Sequence, residues 1–186
     1  MRTLAFYDEL TKLPNRRLLI DRVSQAMSSD KRNEQYSALM FIDLDNFKPI
    51  NDEHGHVVGD LLLMEAAKRL TDCVRESDTV ARFGGDEYVV LLNGLSLDRV
   101  TATSLVGLVA EKVRASMSDV YVLADSQSGN PNSRIEHRCT ASIGVIVFGR
   151  SNRTPHDILK CADAAMYEAK GAGRNSIRFF DARDEG

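Results

Sequence analysis

The run Arg82-Phe83-Gly84-Gly85-Asp86-Glu87-Tyr88 constrains this chain more than any other segment. It lies between two apolar stretches, Thr79–Ala81 and Val89–Leu92. Two glycines there predict a β-hairpin with Gly-Gly-Asp-Glu at its tip. Without a Cβ, Gly84 and Gly85 let backbone N–H groups approach a phosphate closely. Asp86 and Glu87 add oxygen donors that suit a hard cation such as Mg²⁺. A turn able to hold a phosphate and its metal points to nucleotide chemistry. The heptapeptide alone is also compatible with a plain hairpin carrying solvated acids.

The rest of the chain narrows the choice. Its 186 residues, 43% of them hydrophobic, suit one domain with a full core. A formal net charge of -3 gives no sign of a general nucleic-acid or membrane binder. Apolar runs such as Leu61–Met64 and Val145–Phe148 are core-sized, not membrane-spanning. Met1-Arg2-Thr3 leads into no signal-peptide apolar region, so a cytoplasmic location is expected, although a parent protein could be membrane-anchored. Cys73, Cys139 and Cys161 form no C-x-x-C pair and read as reduced, mostly buried thiols. His54 and His56 lack the cysteine partners of a zinc site.

Hydrophobic periodicity places the elements. Helices are predicted over Asn15–Met27, Gly59–Val74, Leu97–Met117 and Pro155–Lys170, with Thr154 as the cap of the last. Phe47–Glu53 reads as a helical turn, with Gly55 and Gly59 as breaks after it. Strands are predicted over Tyr36–Leu44, the two arms of the hairpin, Asp119–Ala124, Ile135–Phe148 and Ile177–Phe180. The polar stretch Asp125–Ser133 joins two of them. Helices alternate with strands, yet two strand pairs are joined as hairpins. The fold class is therefore α/β, with a mixed, largely antiparallel central sheet flanked by helices.

In order, the landmarks are Asp8-Glu9-Leu10-Thr11, Leu13-Pro14-Asn15-Arg16-Arg17, Asp43-Leu44-Asp45-Asn46-Phe47-Lys48, Asn51-Asp52 and Gly55-His56-Val57-Val58-Gly59-Asp60. After Gly84–Tyr88 come Ala141-Ser142-Ile143-Gly144, Ala162-Asp163, Tyr167-Glu168-Ala169-Lys170 and Gly173-Arg174-Asn175. Each piece is weak, but the ordered set is specific and covers nearly the whole chain. It resembles the GGDEF family of diguanylate cyclases. The resemblance implies a fold like the palm of polymerases and nucleotidyl cyclases. It also implies condensation of two GTP into cyclic di-GMP with release of two pyrophosphates, at a homodimer interface and with Mg²⁺ or Mn²⁺.

Carried over residue by residue, the resemblance makes Asp43 and Asp86 metal ligands, with the Leu44 main-chain carbonyl as a third. Glu87 either holds a second metal or helps remove the proton from the ribose 3′-hydroxyl. Gly84, Gly85 and Phe47 belong to the substrate site. Lys48, Lys170 and Arg174 neutralise the triphosphate, where the plain alternative is solvated surface charge. Asn51 and Asp60 read the base. Guanine presents N1–H and N2–H₂ as neighbouring donors that one carboxylate can accept, whereas adenine presents an acceptor at N1. Asp60 is also an ordinary acid for a helix N-terminus. Arg75-Glu76-Ser77-Asp78 matches the family's RxxD product-inhibition element, so Arg75 and Asp78 are expected to bind cyclic di-GMP. Arg99 is a loose candidate to complete that site.

Two positions depart from the family pattern: Tyr88 stands where phenylalanine is usual, and Lys12 where glycine is common. The stretch Asp125–Arg138 is longer and more polar than its hairpin needs, and no function attaches to it. The expectation is a single catalytic domain over residues 1–186, cut from a larger signalling protein. Its Arg178-Phe179-Phe180-Asp181 ending resembles domains followed by a cyclic di-GMP phosphodiesterase. Two other readings stay open. One is a non-catalytic GTP or cyclic di-GMP binding module, although such members usually lose the signature acids. The other is a purely structural dimerisation domain.

Overall fold

The computed structural model describes residues 5–150 and 152–181, so Met1-Arg2-Thr3 lies outside the described residues. The elements follow in the order α1 (Arg16–Asn33), β1 (Tyr36–Leu44), α2 (Lys48–His54), α3 (His56–Cys73), β2 (Thr79–Gly84) and β3 (Glu87–Ser96). Then come α4 (Arg99–Ser118), β4 (Tyr121–Ala124), β5 (Arg134–His137), β6 (Ala141–Phe148), α5 (Pro155–Gly171) and β7 (Ile177–Phe179). Five strands form one sheet in the order β2-β3-β1-β6-β7, and β4-β5 form a separate ribbon. Neighbours in the large sheet run antiparallel except β6 and β7, which are parallel. The expected mixed sheet is the one found.

The central strand β1 is covered on both faces, and its period of two sorts its side chains. Ala38, Met40, Ile42 and Leu44 pack with the apolar residues of α3 and α4. Leu39 and Phe41 pack with those of α1 and α5. By the same alternation Asp43 falls on the α5 face. There α5 lies unusually close to the sheet. A Cβ on Gly144 of β6 would stand 2.0 Å from the Ala162 carbonyl oxygen and 2.2 Å from the Met166 nitrogen. Only glycine at 144 lets the helix seat there. The helix starts in a capping box between Thr154 and Asp157, as the Thr154 cap leads one to expect.

Three predicted elements are corrected. Helix α1 continues six residues past Met27, because Ser28–Asn33 has no apolar periodicity to announce it. It ends on Glu34 in the left-handed conformation, φ +56°. The predicted strand Ile135–Phe148 is two strands in two sheets. The first half alternates exposed and half-buried residues, whereas Ala141–Phe148 is buried throughout. Gly59 is no break, since it lies within the first turn of α3. Cys73, Cys139 and Cys161 are buried thiols, none of them in a disulfide. Among the described residues no helix is long and apolar enough to cross a membrane.

Candidate active site

The hairpin tip is a two-residue turn, Gly85-Asp86, closed by the pairing of Gly84 with Glu87. Gly85 has φ +49°, a conformation glycine adopts without steric cost. A Cβ at either glycine would meet nothing within 4 Å, so the flank of the turn is open. The turn is held from below. Arg82 donates from Nε and Nη2 to the Gly85 carbonyl at 2.9 and 2.7 Å. Its Nη1 donates to both oxygens of Asp8 at 3.2 Å. Asp8 also accepts from the amide and hydroxyl of Thr11 at 2.8 and 2.7 Å. Burial pulls the Asp8 carboxyl up, but Thr11 and Arg82 together hold it below its ordinary value. The motif at the start of the chain thus braces the glycine turn. Within that motif Lys12 has φ +62°, which explains why glycine is common at its position.

The carboxylates meet beside the tip. Asp43 on β1 is opposite Glu87 on β3, and the Leu44 amide donates to the Asp86 carbonyl at 3.2 Å. From α5, the Lys170 ammonium stands 2.9 Å from Asp43 Oδ2. The Asp43 side chain is only 9% exposed. Burial raises its carboxyl, Lys170 pulls it back, and Asp86 and Asp45 push it up again, with a net rise. Glu87 is raised first by burial and then by Asp43, Asp163 and Asp86. Asp163 is itself raised by desolvation against the pull of Lys170. This is a concentration of negative charge with one lysine as counter-ion.

A cleft of about 310 Å³ opens on this cluster. It brings together Asp43, Leu44, Phe47, Lys48, Asp86, Lys170 and Arg174. Two wider hollows of about 580 Å³ lie elsewhere. One, beside Gly84 and Gly85, is walled by Arg16, Arg17 and Phe83. The other runs along α1 to Asp78 and Asn93. The carboxylates lining the 310 Å³ cleft are those of Asp43, Asp45 and Asp86, and Leu44 lies between the first two. Among the described residues, no three carboxylate, imidazole or thiol side chains converge on one point.

Sequence reasoning missed Asp45. Its carboxylate is buried and accepts from Thr140 Oγ1 at 2.6 Å, Ser142 Oγ at 2.7 Å and the Asn175 amide at 3.0 Å. It ties the ends of β1 and β6 to the turn after α5, where Arg174 and Asn175 have φ +65° and +43°. Asp45 therefore places Arg174. The signal was present: an acid two residues beyond Asp43 faces the same way. Asp163 was matched as part of a motif but given no role.

Asn51 and Asp60 stand apart from that lining, on α2 and α3. The Asn51 side chain rests on the backbone of Gly59, where a Cβ would lie 1.7 Å from its Oδ1. Gly59 is glycine to admit Asn51 beside Asp60. Arg75 and Asp78 lie at the far end of β2 from the hairpin tip. Asp78 is 2% exposed and accepts from the Arg75 amide at 3.0 Å, the Arg75 guanidinium at 3.2 Å and the Asn93 amide at 3.2 Å. The Arg75 side chain is 58% exposed. Arg99 faces a different hollow, with Tyr36, Arg150 and Arg153.

The profile of the GGDEF domain family, described as diguanylate cyclase, matches residues 5–176. The chain belongs to the GGDEF domain family. Among its relatives, the bifunctional diguanylate cyclase/cyclic di-GMP phosphodiesterase MucR of Pseudomonas aeruginosa is 44% identical over 96% of this chain and 24% of its own length. Diguanylate cyclase TpbB of the same species is 37% identical over 97% of this chain and 38% of its own. The chain thus spans less than two fifths of the length of these curated relatives. The solved GGDEF domain of TpbB superposes with a TM-score of 0.83 at 36% identity, covering 96% of both chains. The GGDEF domain of DgcB from Caulobacter crescentus, solved in complex with c-di-GMP, gives 0.82 at 26% identity, over 96% of this chain and 94% of that one.

Proposed function

We propose that the chain is a single catalytic module that condenses two GTP into cyclic di-GMP and releases two pyrophosphates. The observation that carries this reading is the cleft that brings Asp43 and Asp86 together with Lys48, Lys170 and Arg174, with Lys170 paired to Asp43 and Glu87 opposite Asp43 on the neighbouring strand. The crowded carboxylates fit a divalent cation: Asp86 and Asp45 push the Asp43 carboxyl up against the pull of Lys170, and the donors are hard oxygens. Asp43, Asp86 and the Leu44 carbonyl would hold Mg²⁺ or Mn²⁺, with phosphate oxygens and water as the remaining ligands, the usual mode for Mg²⁺. Such an ion, when bound, neutralises charge on the phosphates.

The protein's own groups do the rest. Lys48, Lys170 and Arg174 clamp the triphosphate and stabilise the charge that grows on the leaving pyrophosphate. Glu87 takes the proton of the 3′-hydroxyl. Its raised carboxyl pKa makes it a better base than an ordinary glutamate. The 3′-oxygen then bonds to the α-phosphorus of the second GTP, and the bond from that phosphorus to the β-phosphate bridge breaks. One chain offers one such cleft, so two copies must face each other, each supplying one GTP. Asn51 and Asp60 select guanine. The substrate is a cytosolic nucleotide, so the module works in the cytoplasm.

Product inhibition belongs to the same reading. Asp78 takes the Nε and Nη2 donors of Arg75, and Nη2 also donates to the Asn93 carbonyl at 3.0 Å; the exposed side chain offers its remaining donors to a phosphate or a guanine edge of cyclic di-GMP. A ligand held there would immobilise two copies in a non-productive arrangement. The two-copy requirement is tested by specific activity against protein concentration. It should rise through the monomer–dimer range, and a flat dependence overturns the two-half-site mechanism.

A further inference from the structure

The β4–β5 ribbon, with its long Asp125–Ser133 connection, has no part in the chemistry above. It is nonetheless a built structure. Arg69 of α3 lies over the Tyr121 ring at 3.8 Å. Arg69 also donates to the carbonyls of Ser116, Asp119 and Val120 at 2.8 to 2.9 Å, which fixes the chain as it enters β4. The connection is closed by its own polar residues. Asp125 accepts from the Gln127 amide at 3.0 Å and the Ser133 hydroxyl at 3.1 Å, and Asn130 accepts from the Asn132 amide at 3.0 Å.

This closed loop aims one side chain at another part of the molecule. Gln127 Nε2 donates to the His54 carbonyl, the last of α2, at 3.0 Å. It also packs against Gly55, where a Cβ would lie 3.1 Å away and where φ is +83°. Gly55 is the hinge between α2 and α3. Its amide donates to the Asn51 carbonyl at 2.9 Å, and its carbonyl accepts from the Gly59 amide at 3.2 Å. Gly59 in turn is the seat of the Asn51 side chain and the neighbour of Asp60. One hydrogen bond from the ribbon thus reaches the turn that sets Asn51 and Asp60 relative to each other.

We propose that Gln127 is a positioning residue for nucleobase recognition: the ribbon locks the α2–α3 hinge and so holds Asn51 and Asp60 in the geometry that accepts guanine. This inference rests on the reading that those two residues bind the base. Losing the lock lets the hinge sample other geometries. The cost falls on binding and base choice more than on the bond-making step, whose groups lie on other elements except Lys48, at the opposite end of α2 from the hinge.

The test is equilibrium binding of a non-hydrolysable GTP analogue and of its ATP counterpart, alongside kcat at saturating GTP. Gln127→Met keeps the bulk and removes the donor. It should weaken the GTP analogue about five-fold, the scale of one neutral hydrogen bond. It should also narrow the preference over the ATP analogue and leave kcat within about two-fold. Asp60→Ala is measured in parallel, alone and combined with Gln127→Met. In the Asp60→Ala background the Gln127 effect should shrink, because one of the two base contacts it positions is gone. If Asp60→Ala alone changes nothing, the base-reading assignment fails and takes this inference with it. If Asp60→Ala weakens binding and Gln127→Met does not, the base reading stands and the role of the ribbon is overturned. An equal Gln127 effect in both backgrounds also overturns it.

Discussion

Lys170 and Asp43 meet where α5 crosses the end of β1, with Nζ 2.9 Å from Oδ2. The pair joins two distant parts of the chain and puts a cation against a buried carboxylate of the acid cluster. Lys170 also lowers the carboxyl pKa values of Glu87 and Asp163, which burial and neighbouring acids raise. Removing the ammonium, as in Lys170→Met, leaves only the raising influences. The acids then stay protonated to higher pH. A variant that still turns over should be slower at neutral pH, and the acid limb of its pH–rate profile should move to higher pH. An acid limb at the wild-type position would show that Lys170 acts on the phosphates alone.

The same logic of compensation applies to Tyr88. Its ring is fully buried, its hydroxyl donates to the Leu63 carbonyl at 2.7 Å, and burial holds the phenol well above its usual pKa. Tyr88→Phe removes the bond without opening a cavity, and the Leu63 carbonyl keeps its place in the α3 ladder. Denaturant unfolding should show a loss of about 1 kcal/mol, with cyclase activity unchanged. A gain in stability would mean that this hydroxyl is a burden in the core.

At Lys12 the expectation runs the other way. A lysine at φ +62° carries left-handed strain of about 1 kcal/mol that glycine avoids, partly offset by the greater freedom of glycine in the unfolded chain. Lys12→Gly should raise the unfolding midpoint slightly and leave activity intact. A lower midpoint would place the value of Lys12 in its side chain.

Much of this was legible in the sequence, and the exceptions share a cause. The apolar run Tyr36–Leu44, ending in Asp43-Leu44-Asp45, and the glycine pair at Gly84-Gly85 announce the central strand and the hairpin. They also announce that the strand ends in carboxylates. What stayed hidden depends on contacts between segments far apart in the chain. Asp45 earns its place through Thr140, Ser142 and Asn175. Asp8 acts through Arg82, 74 residues away. Gly59 looked like a helix breaker because its partner, the Asn51 side chain, cannot be seen along one strand of text. The break between β5 and β6 was readable in principle, since Arg134–His137 alternates and Ala141–Phe148 does not. The tail of α1 was not, because its polar residues carry no period.

At the opposite end of β2, Arg75 should govern feedback. Wild-type protein should bind cyclic di-GMP at micromolar strength or tighter, on the order of -8 kcal/mol. Arg75→Ala should abolish that binding and leave the initial cyclase rate largely unchanged. Calorimetry showing equal affinity in the variant would return Arg75 to an ordinary surface charge held by Asp78.

The most direct measurement is to incubate the purified chain with GTP and Mg²⁺ and to quantify cyclic di-GMP and pyrophosphate. The wild type should yield one cyclic di-GMP for every two pyrophosphates. Asp86→Ala should fold normally, since the hairpin tip is open, and form product at least ~100-fold more slowly. Near-normal synthesis by folded Asp86→Ala would contradict the cleft as the catalytic centre. GTP binding without any product from the wild type would make the chain a regulatory nucleotide-binding module.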